Sequence, residues 1–266
     1  MSGGRSKRAV LWTLVWLVIV LLSLPTLIVI GASFTAGEII AVPPDGLSLR
    51  WYRARWQLDD FQDARLRTLW VSVLCTAISL PVGTLAALGL VRYRLRYGGV
   101  IQVYLLLPFT IPLVVSGISM MLLFGELRIL GTLWPVGLAL CIINLPFMIW
   151  SVSASVNALD PEIENAAMIC GAPPLQTFLT VTLPAVMPGI ITGGLLMFIL
   201  AFNEFLVSLF LTDSRTVTLP VQIYNSIRSV ITPDLAAVSV LYILIALLAV
   251  WLLDRLVGLE IFLKSK

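Results

Sequence analysis

The 266-residue sequence contains no histidine, only three cysteines, and charged side chains at only 12% of its positions. A soluble domain carries about 25% charged residues. Without histidine there is no HExxH zinc site, no Ser-His-Asp or Cys-His nucleophile and no imidazole base or haem ligand. Cys75, Cys141 and Cys170 are odd in number and widely spaced, which excludes a disulfide framework and a CxxC metal site and leaves them as small hydrophobes. No GxxxxGK[ST] phosphate loop occurs, so this chain does not hydrolyse ATP through that motif. The net charge of +3 is modest and fits anchoring at a lipid membrane, not nucleic-acid binding.

What is abundant is apolar. Hydrophobic residues make up 59% of the chain, mean hydropathy is +1.03, and the charges gather in short clusters that leave long uncharged runs. A crossing of the bilayer needs about 20 apolar residues at a rise of about 1.5 Å each. Six segments meet that length: Ala9 to Ser33, Thr68 to Val91, Val100 to Phe124, Ile129 to Ser151, Met187 to Leu211 and Leu235 to Leu253. The expected fold class is therefore all-α integral membrane, a single transmembrane domain over 1–266. The uncharged run from Ala9 to Gly37 exceeds the roughly 7–15 residues of a signal-peptide core, so the first segment reads as an uncleaved anchor. Lys and Arg divide almost evenly between the two sides, but Arg5, Lys7 and Arg8 abut the first segment; by the positive-inside rule both termini are cytoplasmic. That orientation puts a 34–67 loop outside and a 152–185 loop inside.

In the outer loop, Pro43-Pro44-Asp45-Gly46 is turn chemistry. Trp51, Tyr52 and Trp56 follow in an amphipathic run suited to the membrane interface or to a docking face. Arg92, Arg94 and Arg96 read as lipid headgroup anchors.

The inner loop is the most informative. Asp160 can cap a helix with Pro161 at its first position; Glu162 and Glu164 suit the positive end of its dipole, and Gly171 followed by Pro173 and Pro174 stops it. On that helix Ile163, Ala166, Ala167 and Cys170 recur at i, i+3, i+4 and i+7, a narrow strip of mostly small side chains. The strip either packs on the chain's own bundle or inserts into a pocket on another protein.

Within the fifth segment Glu204 is an intramembrane carboxylate, hence a pathway candidate. It lies about 24 Å up the helix from Pro188, with Asn203 beside it and Phe202 and Phe205 able to offer ring faces to a cation. The alternative is a structural carboxylate bonded to a neighbouring element. Gly189 and Gly193, at GxxxG spacing, read as helix packing. Pro108 and Pro112 interrupt the third segment and free carbonyls that must be covered by protein or by a water-filled cavity.

The loop resembles the EAA motif of the membrane subunits of binding-protein-dependent ABC importers: Ala166 and Ala167 match its alanines, Gly171 its glycine, Val181 its aliphatic position, and Leu183 and Pro184 its end. Asn165 stands where the motif has glutamate, although Glu164 precedes it. Pro43 to Tyr52, Phe202 to Thr212 and Thr218 to Tyr224 are similar to the spermidine/putrescine-type branch. The resemblance implies a type I importer permease fold in a bacterial cytoplasmic (inner) membrane. It also implies a second permease subunit, two cytosolic ATPase subunits and a periplasmic or surface-tethered substrate-binding protein. The chain itself would hold no cofactor, ATP and Mg being bound by the ATPases, and would not be catalytic. ATPase docking would fall to Ile163, Glu164, Asn165, Ala166, Ala167, Cys170, Gly171, Leu183 and Pro184, and the cargo would be a polyamine or another small organic solute. A self-contained channel or a membrane-embedded enzyme is the competing class; a single Glu204 without histidine gives no catalytic constellation.

The topology is tested by cysteine labelling of sealed cells on a cysteine-free background. Asp45→Cys is expected to react with an impermeant reagent and Asn165→Cys to be spared; the reverse pattern inverts the orientation.

Overall fold

The computed structural model describes residues 3–38, 46–56, 59–93, 96–229 and 233–257. Pro43, Pro44, Asp45 and Arg94 lie outside them. In chain order the helices are α1 (Gly3–Ser33), α2 (Arg50–Trp56), α3 (Asp59–Arg92), α4 (Gly98–Thr110), α5 (Leu113–Glu126), α6 (Leu133–Ala158), α7 (Pro161–Ile169) and α8 (Pro174–Thr177). A π-helical turn (Phe178–Thr182) follows, then α9 (Leu183–Phe202), α10 (Leu206–Leu211), α11 (Leu219–Ser229) and α12 (Pro233–Val257). Five helical stretches are long and apolar enough to span a bilayer, and a sixth arises if α4 and α5, bent by 97° to one another, form one broken span. The all-α membrane architecture therefore holds, with five to six candidate spans where six were expected and with two corrections.

The third segment is not one helix. Proline lacks an N–H and restricts its predecessor to extended backbone; Ile111 sits at φ −81°, ψ 133° and Pro112 becomes the residue before α5. The fifth segment is broken too, at Asn203 to Phe205, so that Glu204 lies between helices and not inside one.

The contacts divide the chain into two compact units. In the first, Met1–Gln62 with Ile223–Ile245, the segment after α1 folds back so that Thr35 pairs with Leu47 in an isolated antiparallel bridge. Two aromatic residues of α2 hold it there: Trp51 Nε1 donates to the Thr35 carbonyl at 2.9 Å, and the Tyr52 hydroxyl shares a 2.6 Å hydrogen bond with Ser33 Oγ; the side chain of Trp56 lies outside the described residues. These rings are spent on the loop's own structure.

The second unit, Asp63–Gln222 with Ala246–Lys266, is organised around the crossing of α6 and α9. Gly189 and Gly193 lie on that crossing: a β-carbon on Gly189 would come within 2.5 Å of Ser155 Oγ and 2.8 Å of the Ser151 carbonyl, and one on Gly193 within 2.5 Å of Met148 Sδ. The packing role expected from the GxxxG spacing is what the geometry gives them. Ser151 Oγ donates to the Gly189 carbonyl at 2.9 Å across the same contact. Around it, Met148, Val152, Val156, Val186 and Met197 are fully buried. Cys75 and Cys141 are also buried, as expected of small hydrophobes. On α3, Thr68, Ser72, Thr76 and Ser79 each donate a hydroxyl hydrogen to the carbonyl four residues back, and Thr68 Oγ1 accepts the Leu219 N–H at 2.7 Å.

Gly193→Val should overpack this crossing and cost about 1–3 kcal/mol, read as a lower unfolding temperature in detergent. Gly89→Ala, whose new methyl would meet nothing within 4 Å, should leave that temperature unchanged or raise it.

Candidate functional site

The 152–185 loop folds as its sequence signals require. Asp160 is the N-cap, its Oδ1 accepting the Glu162 N–H at 3.0 Å, and Pro161 occupies the first helical position. At the other end the Gly171 N–H reaches the Met168 carbonyl at 3.0 Å and the Ala172 N–H reaches the Ala167 carbonyl at 3.1 Å. This is a Schellman termination with Gly171 in the left-handed region at φ +94°. Glycine is needed there for its backbone, since a β-carbon would meet nothing within 4 Å.

The helix presents two different sides. Glu164 and Ala167 are withdrawn from solvent, whereas Glu162, Ile163, Asn165, Ala166, Met168, Ile169 and Cys170 are exposed. Ile163, Ala166 and Cys170 thus form an outward strip as the periodicity suggested, and Ala167 belongs to the inward side. Ile169 is the most prominent apolar member at 86% exposure, a residue the periodicity left out. Leu175 and Leu179 extend the exposed apolar surface beyond α7. Of the motif's last residues, Val181 lies in the π-helical turn and Leu183 and Pro184 open α9.

The charges beneath α7 are paired. Arg92 Nη2, at the end of α3, contacts Glu164 Oε2 at 3.1 Å and donates to the Leu159 carbonyl at 3.2 Å, while Thr182 Oγ1 donates to Glu164 Oε1 at 2.6 Å. Both oxygens of Glu164 are therefore engaged within the chain. Asn165 has turned outward, its Nδ2 donating to Glu162 Oε1 at 3.3 Å. Arg92 is accordingly not a headgroup anchor: its guanidinium is drawn into the protein by a charge-assisted contact with a carboxylate and by a carbonyl. Nothing in the local sequence marks this, because the two charges lie on elements far apart in the chain. A cleft of about 480 Å³ lies under the loop, bordered by Gly89, Arg92, Glu164, Met168 and Phe178.

Glu204 sits in the break after α9. Its Oε1 accepts the Val207 N–H at 2.8 Å, and its Oε2 accepts the Ser208 N–H at 2.9 Å and the Ser208 hydroxyl at 3.1 Å. The carboxylate thus caps the N-terminus of α10, satisfying donors that have no intrahelical partner. Beside it Asn203 Nδ2 donates to the Ile199 carbonyl at 3.0 Å. Phe205 is half-buried, and Phe202, at 2% exposure, is stacked on Phe198 with centroids 5.7 Å apart. The structure brings Asn203, Glu204 and Phe205 together at the break, but the Phe202 ring lies in the packed interior. Past α10, Asp213 is held below the usual carboxylate range first by the Thr216 hydroxyl and then by the Arg215 N–H.

Two polar features escaped the sequence reading. Asp234, in the first turn of α12, is buried; the proline-acid pair that opens the helix was its signal. Gln102, Ser153 and Asn157 line a cleft of about 490 Å³ together with Leu106 and Trp150.

Residues 79–259 match the family described as "Binding-protein-dependent transport system inner membrane component". The chain belongs to that family. The permease is 31% identical to the "Putrescine transport system permease protein PotI" of Escherichia coli (strain K12) over 227 residues, covering 82% of this chain and 79% of that one. It is 26% identical to the "Spermidine/putrescine transport system permease protein PotC" of the same strain over 229 residues, covering 86% of each. Its fold superposes with a TM-score of 0.71, at 17% identity, on a solved "bacterial alginate ABC transporter in complex with alginate pentasaccharide-bound periplasmic protein", covering 95% of this chain and 93% of that one. The chain is a permease component of an ABC importer, a multi-pass protein of the inner membrane with polyamine permeases among its relatives.

Gly171→Val should strain the left-handed turn by about 1–2 kcal/mol. The helical stop would be lost, which limited proteolysis of the permease in detergent reads as faster cleavage after Ile169.

Proposed function

We propose that this permease forms half of the translocation pathway for a polyamine or similar organic cation, driven by two cytosolic ATPase subunits that dock on the 152–185 loop. A second permease subunit completes the pathway, a periplasmic or surface-tethered binding protein delivers the cargo, and both termini are cytoplasmic. ATP and Mg stay with the ATPases. The observation that carries the reading is α7: a short helix fixed at both ends, exposing Ile163, Ala166, Ile169 and Cys170 to solvent. An exposed apolar patch on a loop helix marks a surface that a partner covers. With Glu164 engaged inside the chain, the polar contact with the ATPase falls to Asn165 and Glu162.

For the cargo, support comes from the polyamine relatives and from the break at Asn203 to Phe205. A carboxylate with three donors bound still has lone-pair capacity for an ammonium group. Its charge lowers the cost of bringing a cation into a low-dielectric region, and the Phe205 ring face adds cation–π attraction.

Purification in mild detergent should yield a soluble ATPase together with the permease, and the reconstituted complex should accumulate putrescine only with ATP. Glu204→Gln should lower putrescine uptake more than that of a neutral solute while the ATPase still co-purifies. A chain that arrives alone and conducts without ATP is a channel, and equal loss for both solutes leaves Glu204 a cap only.

A further inference from the structure

The exposed side of α7 explains docking, but not how a push on that helix reaches the membrane. Among the described residues an ion pair joins α7 to the end of α3. Glu164 Oε2 meets Arg92 Nη2 at 3.1 Å, and both side chains are about four-fifths withdrawn from solvent. Surface ion pairs are worth little, but withdrawal from water strengthens the attraction and makes an unpaired charge costly. Each partner has a second tie. Arg92 also holds the Leu159 carbonyl, immediately before the Asp160 cap, and Glu164 also holds Thr182, the last residue of the π-helical turn that leads into α9. One ion pair thus fastens the end of α3, the entry to α7 and the start of α9 at a single point. Arg92 Nε is buried and meets no acceptor among the described residues, so the guanidinium has a donor in reserve for a shifted carboxylate or carbonyl.

We infer that the Arg92–Glu164 pair is an internal latch that transmits movement of the coupling helix into α3 and α9. Arg92 is then a positioning residue of the transport cycle, acting through Glu164 and not on the cargo. The inference rests on the coupling role proposed above. It assigns the two neighbouring polar positions of the loop opposite duties, Asn165 toward the ATPase and Glu164 toward the membrane domain.

The test is a double-mutant cycle with Arg92→Gln, Glu164→Gln and the two combined, in the complete complex in proteoliposomes, reading putrescine uptake per ATP hydrolysed. A purely structural defect lowers assembled complex, and so uptake and hydrolysis together, leaving the ratio intact. The latch predicts that each single variant still hydrolyses ATP while uptake per ATP falls about two- to thirtyfold, the range seen for residues that carry coupling. It also predicts that the combined variant is no worse than either, because both remove one interaction. An unchanged ratio in the single variants, or losses that multiply in the combined one, overturns it. A second arm needs no ATPase: in the permease alone in nanodiscs, amide exchange across Pro161–Ile169 should accelerate in all three variants to the same degree. Unchanged exchange there overturns the latch, and failure of the unmodified permease to bring down an ATPase defeats the coupling reading separately.

Discussion

In a bilayer, apolar side chains gain nothing by leaving lipid for one another, so a membrane fold has to be held by close packing and by hydrogen bonds that lipid cannot supply. The crossing of α6 and α9 meets both conditions. Gly189 and Gly193 let the backbones approach until a β-carbon would collide with Ser155, Ser151 or Met148, and the Ser151 hydroxyl closes on the Gly189 carbonyl. Three features of the second unit are placed by these two helices. The end of α6 leads into α7, the start of α9 receives the π-helical turn, and the end of α9 sets the position of Glu204.

The bilayer also determines how the chain breaks its helices. An unsatisfied backbone group in hydrocarbon costs several kcal/mol, and each interruption comes with its own remedy. Proline at 112 removes a donor where one would be stranded, and the Pro112 carbonyl takes up the Ser116 N–H. At Asn203 to Phe205 the remedy is the Glu204 carboxylate, which takes up two backbone donors of α10. A carboxylate used this way is held rigidly, and rigidity is also what a cation site requires.

Span number, the capped loop helix, its glycine stop and the GxxxG contact were legible in the sequence, because each depends on neighbours within about one turn or on the fixed thickness of the membrane. The break at Asn203 was not, since no proline or glycine marks it and the surrounding residues are as apolar as a continuous span. Its one trace is a Glu placed three and four residues before the backbone donors it caps. Arg92 was misread for a related reason. An arginine at a helix end is ordinarily a headgroup anchor, and only the fold brings Leu159 and Glu164 to it. The exposure of Ile169 was hidden as well, because a nine-residue helix is too short for periodicity to separate its two faces.

The π-helical turn at Phe178–Thr182 gives the motif's fixed spacing a geometric meaning. A π turn holds one residue more than an α turn at the same place in a helix, so it acts as a built-in insertion that rotates everything after it about the helix axis. With that extra residue in place, Thr182 faces Glu164 and Gly189 and Gly193 face α6. The distance from Gly171 to Leu183 and Pro184 is thus a phase as well as a length. A chain one residue shorter could restore a regular α-helix there, yet it would turn the packing face of α9 away from α6 and the threonine away from its carboxylate.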